Sequence, residues 1–92
     1  MSFFVVEIQE NVGEMVFPNR TICCAPSFAV LEQHLDKKMS NWRGKGDYDE
    51  ETEVWKYGNT SAFLSEIREI TYEAAKSAFQ NRLIPLWLWV NN

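Results

Sequence analysis

Two adjacent cysteines, Cys23 and Cys24, are the side chains of this 92-residue chain that could act as nucleophiles. Cys24 lies just before a predicted helix, whose N-terminal dipole could lower the pKa of its thiol. The single histidine, His34, lies two or more turns into that helix, too far away to act as a base for Cys24. A small cysteine-dependent enzyme is therefore the weakest of our hypotheses. We therefore expect no catalytic residue and no cofactor. Because the chain has only two thiols and one imidazole, we also expect no metal site.

Carboxylates are concentrated in two segments that could bind a basic partner. The acidic residues of the first segment are Asp47, Asp49, Glu50, Glu51 and Glu53. Asp47, Asp49 and Glu51 have the alternate spacing of a calcium-binding EF-hand loop, but Thr52 and Gly58 replace two essential residues of that loop, so we expect a solvated loop without calcium. Glu66, Glu69 and Glu73 follow at helical spacing and predict a second acidic surface on one face of a helix.

Nine basic against thirteen acidic residues give the chain a formal net charge of −4. This balance excludes a generally basic nucleic-acid-binding protein. One local cluster, formed by Lys37, Lys38, Arg43 and Lys45 around Trp42, keeps open the alternative of a regulator that contacts RNA or single-stranded DNA.

Tryptophan is frequent in the sequence, and this residue is enriched at the energetic centres of interfaces. Trp87 and Trp89 would share one face of a final strand, and Trp55 and Tyr57 would share one face of another. If these two strands were neighbours, they would form a continuous aromatic surface. We expect Trp87 and Trp89 to anchor a partner or a homodimer, with a second layer of core as the alternative.

The elements that position these residues follow from hydrophobic periodicity. Phe3 to Cys24 predicts an irregular β-hairpin, interrupted at Pro18. Ser27 is a predicted N-cap, and an apolar stripe follows it at helical spacing. The stripe consists of Phe28, Leu31, Leu35, Met39 and Trp42.

The second half of the chain predicts a strand at Val54 to Tyr57, an amphipathic helix from about Ser61 to Gln80, and a strand at Leu83 to Val90. The resulting order is ββαβαβ. It indicates a single compact α+β domain spanning residues 1–92, with a mostly antiparallel sheet of about three to five strands and two helices packed on one face.

Function is predicted from composition rather than from a motif. The N-terminus lacks the features of a signal peptide, and the longest apolar run is too short to span a membrane, so we expect a cytoplasmic protein. In size, acidity and aromatic content the chain resembles phage anti-defence proteins (anti-CRISPR and anti-restriction inhibitors) and toxin-immunity proteins. The resemblance implies a non-enzymatic inhibitor that occludes a basic surface of a nucleic-acid-processing complex or a toxin, in the host cytoplasm if the chain is phage-encoded.

Overall fold

A computed structural model describes residues 1–91. Along the chain it contains the strands β1 (Ser2–Val12) and β2 (Met15–Ala25), the helix α1 (Phe28–Ser40), the strands β3 (Asp47–Asp49), β4 (Val54–Tyr57) and β5 (Thr60–Ile70), the helix α2 (Tyr72–Gln80) and the strand β6 (Trp87–Trp89). Within these residues one six-stranded sheet has the order β3-β4-β5-β1-β2-β6. The predicted α+β class is confirmed. The predicted order ββαβαβ and the strand number are wrong, because the carboxylates around Tyr48 give β3 a low strand propensity and the apolar spacing of β5 resembles that of a helix.

The first two strands form a long hairpin that continues through Pro18 without interruption. On β2, the N–H of Ile22 donates to the Leu86 carbonyl, so the even-numbered residues of β2 direct their backbone groups away from β1. Pro18 has the same parity, and its missing N–H therefore lies on the outer edge, where it removes no hydrogen bond to β1. The predicted interruption is wrong for this reason.

The segment predicted as one helix from Ser61 to Gln80 divides into a strand and a short helix. β5 pairs with the full length of β1, and only the residues after Thr71 form α2. The Thr71 hydroxyl caps α2 by accepting a hydrogen bond from the Ala74 N–H at 3.1 Å. A register shift opposite Glu7 and Ile8 breaks the alternation of apolar residues along β5. The interrupted alternation leaves an apolar spacing that resembles a helix.

The central strand β1 is buried on both sides. Phe4 and Val6 pack in one core cluster with Leu31 of α1, whereas Val5 packs in a second cluster with Ala75 of α2. Because successive strand residues point to opposite faces, the two helices cover opposite faces of the sheet, which we call the α1 face and the α2 face. The prediction of two helices on one face is wrong. The unbroken apolar run at the start of β1 is typical of a strand covered on both sides.

The final strand is shorter than predicted and runs parallel to β2. β6 pairs with Ile22, Cys23 and Cys24, and it forms the edge of the sheet opposite to β3. The chain reaches this edge from α2 through the connection that contains Pro85. Neither helix within residues 1–91 has the length and apolar character needed to cross a membrane.

Candidate partner-binding site

The acidic segment folds into a hairpin at one edge of the sheet. Here the term acidic hairpin denotes residues 47–57, which contain β3, its turn and β4. The Asp49 carboxylate accepts hydrogen bonds from the N–H groups of Glu51 at 3.0 Å and Thr52 at 3.4 Å. It also lies 3.3 Å from Lys56 Nζ, and these contacts, the Lys56 one foremost, lower the pKa of Asp49. Asp49 therefore shapes the turn, and the other four carboxylates remain exposed to solvent.

The acidic hairpin carries the net charge of the whole molecule. It holds five carboxylates and one lysine, which gives it a formal charge of −4. The rest of the chain contains eight acidic and eight basic residues and is therefore neutral. A partner approaching this protein consequently meets a strongly directional negative potential at this one edge of the sheet.

A groove of about 740 Å³ separates the acidic hairpin from the C-terminal half of α1. Tyr48 and Trp55 are cross-strand partners and form its aromatic wall, with ring centroids 5.1 Å apart. Tyr48 is 47% exposed, so this wall is open to a ligand. The other lining residues are Asp36, Lys37, Ser40, Glu53 and Leu64. The groove thus combines an aromatic surface with carboxylates from both of its sides.

Several contacts fix the hairpin relative to α1. The Tyr57 hydroxyl donates a hydrogen bond to the Met39 carbonyl at the end of α1, and burial raises the pKa of Tyr57 to about 12. The Gly46 N–H donates to the Ser40 carbonyl at 2.9 Å. A Cβ on Gly46 would lie only 2.5 Å from the Tyr57 ring, so the loop and the hairpin are in close contact. The groove is therefore preorganised rather than formed on binding.

A buried carboxylate holds the loop that follows α1. Glu10 of β1 is 4% exposed and forms a bidentate pair with Arg43, at 2.7 and 2.8 Å. The hydrogen bonds from Arg43 lower the pKa of Glu10 against the opposing effect of burial. This pair connects the central strand to the loop that leads into the acidic hairpin.

The structure does not bring the remaining predicted carboxylates together. Glu66 and Glu69 lie on β5, three residues apart and therefore on opposite faces of the sheet, and Glu73 lies on α2. The prediction that these three glutamates share one helix face is wrong. None of them lines the groove.

Trp87 and Trp89 lie at the opposite edge of the sheet from the acidic hairpin, on the α2 face. There they belong to an edge aromatic cluster whose members are Phe3, Tyr72, Phe79, Trp87 and Trp89. Trp55 and Tyr57 share a strand face as predicted, but it is the α1 face at the other edge. The prediction of a continuous aromatic surface joining the two pairs is therefore wrong.

The two alternative hypotheses, a cysteine-dependent enzyme and a nucleic-acid-binding regulator, depend on the two cysteines and on the basic cluster around Trp42. Cys23 and Cys24 are buried, and burial raises the pKa of Cys23 to about 11 and also raises that of Cys24. Lys38 and Arg43 lie 5.5 and 5.6 Å from the ring centroid of Trp42 and cover it. Among residues 1–91, no group of three or more His, Cys, Asp or Glu side chains is arranged to hold a metal ion.

Sequence reasoning identified the acidic segment but missed the groove beside it. It did not single out Tyr48, because the surrounding carboxylates give the segment a low strand propensity. Asp36 belongs to the polar face of α1 and looks like any solvated helix residue. The alternation of Tyr48 between Asp47 and Asp49 is the one local sign of a strand. Searches with this chain against protein-family models, curated proteins and solved structures found no match.

Proposed function

We propose that this protein is a non-enzymatic binding protein whose acidic hairpin and groove bind a basic segment of a partner protein. The observation that carries the proposal is a coincidence of position: the entire net charge lies on the hairpin that forms one side of the groove. Binding of this kind requires no cofactor. In its finer form, the protein acts in the cytoplasm as an inhibitor that occludes a basic surface of a nucleic-acid-processing complex or a toxin.

The groove suits an arginine or lysine side chain. A guanidinium stacked on Tyr48 or Trp55 gains about 0.5–2 kcal/mol from the ring quadrupole, depending on how far it is desolvated. Asp36 and Glu53 lie on the same groove and supply carboxylate acceptors for its N–H groups. Asp47, Glu50 and Glu51 lie on the same hairpin outside the groove, where they form ion pairs with basic residues of the partner segment that extend beyond the groove.

A direct test uses a fluorescein-labelled synthetic peptide of alternating arginine and glycine, titrated with the protein at low salt and followed by fluorescence anisotropy. We expect saturable binding that weakens as sodium chloride is added, because exposed charges are screened. The triple variant Glu50→Gln, Glu51→Gln, Glu53→Gln should bind about tenfold more weakly, since each exposed ion pair contributes roughly 0.5 kcal/mol.

A control with the same change in net charge is available elsewhere in the chain. The triple variant Glu66→Gln, Glu69→Gln, Glu73→Gln also removes three carboxylates, but none of these residues belongs to the acidic hairpin or lines the groove. It should retain affinity within about threefold of the wild type, because only long-range attraction changes. Equal losses in the two triple variants would mean that net charge alone drives binding, which contradicts the proposal.

The same assay also tests the nucleic-acid hypothesis. A labelled single-stranded oligouridine replaces the peptide, and we expect no saturable binding. Tighter binding of the oligonucleotide than of the basic peptide would refute the proposal and direct attention to the basic cluster around Trp42.

A further inference from the structure

The edge aromatic cluster exposes a large apolar surface at the edge of the sheet far from the groove. Tyr72 is 49% exposed, Phe79 41% and Trp89 58%. A second groove of about 500 Å³ runs between α2 and β6 along these rings. In the connection before β6, Leu83 is 73% exposed and Leu86 57%. This edge is therefore much more apolar than an ordinary solvated surface.

The backbone of β6 is available for pairing on its outer side. The Leu86 carbonyl accepts a hydrogen bond from the Ile22 N–H at 2.9 Å, and the Val90 N–H donates to the Cys24 carbonyl at 2.8 Å. The backbone N–H and C=O groups of the even-numbered residues around β6 thus point toward β2. The N–H and C=O groups of Trp87 and Trp89 point away from the sheet, at an edge that no other strand within residues 1–91 covers.

The charges at this edge permit two identical copies to meet. The exposed charges beside the cluster are Glu73 and Lys76 on α2, which have opposite signs, and Arg82 in the connection before β6, so this edge carries little net charge. The acidic hairpin lies five strand spacings away, or roughly 24 Å at ~4.8 Å per strand. Two copies joined at β6 would hold their acidic hairpins roughly 50 Å apart, several Debye lengths at physiological ionic strength. Repulsion between the two net charges of −4 is therefore screened.

The exposed apolar area matches what one side of a stable dimer requires. An aromatic side chain presents about 150–250 Å² when fully accessible, so the three rings at about half exposure contribute roughly 300 Å². The two leucines add roughly 100 Å². A standard interface buries about 800 Å² per partner, of which about 450–520 Å² is apolar. The surface thus supplies most of the apolar area that one partner provides.

From these observations we propose that the edge aromatic cluster and β6 bind a second copy of the chain, related by a two-fold axis. A two-fold interface needs a surface that is complementary to itself, and an apolar strand edge of low net charge with free donors and acceptors meets this condition. The contact leaves both grooves open at the outer ends of the dimer. It is independent of the proposed binding of a basic segment.

Sedimentation velocity of the full chain over a micromolar concentration series tests the proposal. We expect the wild type to sediment as a dimer, and Trp89→Lys to sediment as a monomer at the concentrations where the wild type is dimeric, with at least tenfold weaker association. The control is Met15→Lys, which places the same charge on an equally exposed residue, 58% in both cases, at the far end of β2. This variant should remain a dimer.

Two results would overturn the proposal: a wild type that is monomeric throughout the series, or a Trp89→Lys variant that associates as the wild type does. Circular dichroism verifies the fold of each variant. If Trp89→Lys does not fold, Tyr72→Lys provides the same test from the exposed first residue of α2. Binding of the arginine–glycine peptide by folded Trp89→Lys should be unchanged per chain, so failure of one proposal is distinguishable from failure of the other.

Discussion

Replacing Gly46 with alanine tests how firmly the loop after α1 holds the acidic hairpin. An alanine Cβ would lie 2.5 and 2.9 Å from two carbons of the Tyr57 ring and 3.2 Å from a carbon of Trp55. Ordinary contacts between carbons are about 3.5–4.0 Å, so the Tyr57 ring must move by roughly an ångström. That ring is held by the hydrogen bond from its hydroxyl to the buried Met39 carbonyl. The substitution therefore perturbs packing and a hydrogen bond together.

The magnitude follows from these two effects. Overpacking of a close contact costs about 1–3 kcal/mol, and leaving the Met39 carbonyl without its donor costs about 1–2 kcal/mol. We expect the free energy of unfolding of Gly46→Ala to fall by about 2–4 kcal/mol in urea denaturation. Affinity for the arginine–glycine peptide should fall as well, because Trp55 belongs to the groove wall.

Two comparisons make the result interpretable. Gly44 has a φ of 84°, and a Cβ added there would meet no other atom within 4 Å, so Gly44→Ala should cost only about 1 kcal/mol of backbone strain. In a Tyr57→Phe background, Gly46→Ala should cost about 1 kcal/mol less than in the wild type, since the hydrogen bond is already absent. A Gly46→Ala variant no less stable than Gly44→Ala would refute the reasoning.

Two further predictions concern the turn that ends α2 and the ion pair between Glu10 and Arg43. Arg82 has a φ of 57° at the end of α2, where the N–H of Leu83 donates to the Ala78 carbonyl in a Schellman turn. Because glycine adopts this φ without strain, Arg82→Gly should raise the free energy of unfolding in urea by about 0.5–1 kcal/mol. An unchanged or lower free energy of unfolding would contradict the assignment of strain. The hydrogen bonds from Arg43 lower the pKa of Glu10, so this pairing stabilises the fold above the ordinary pKa of a glutamate and loses its effect as pH falls through the lowered pKa. The stability difference between the wild type and Arg43→Met in urea should therefore shrink as pH falls from 7 through the lowered pKa of Glu10. A difference independent of pH would show that the ion pair is not its source.

The sequence predicts the parts of this fold in which hydrophobic spacing and local signals agree. Ser27 caps α1 as expected, and the apolar stripe from Phe28 to Met39 lies on this helix, because the cap and the period indicate the same element. Trp42, the last predicted member of the stripe, lies beyond the end of α1 at Ser40. β5 was not predictable in this way, since a register shift opposite Glu7 breaks its alternation and pairing with β1 outweighs its helical spacing. Long-range strand pairing, which no local window contains, also determines which helix covers which face.

The candidate site likewise has features that the sequence predicts and features that it does not. The charge of the acidic segment is evident from composition, and its place at a sheet edge is not. Trp55 stands out in the sequence, but its pairing with Tyr48 and its position opposite Asp36 depend on how the hairpin meets α1. A single charged surface formed by Glu66, Glu69 and Glu73 is predicted only if all three residues are assigned to one helix.

The central claim is that a basic segment binds against the aromatic wall of the groove. The four tryptophans give this claim a direct readout, because each indole N–H gives its own signal in a nitrogen–proton correlation spectrum of the labelled protein. On titration with the arginine–glycine peptide, the Trp55 indole signal should shift saturably, while those of Trp42, Trp87 and Trp89 should stay in place. A peptide that binds without moving the Trp55 signal would contradict the account.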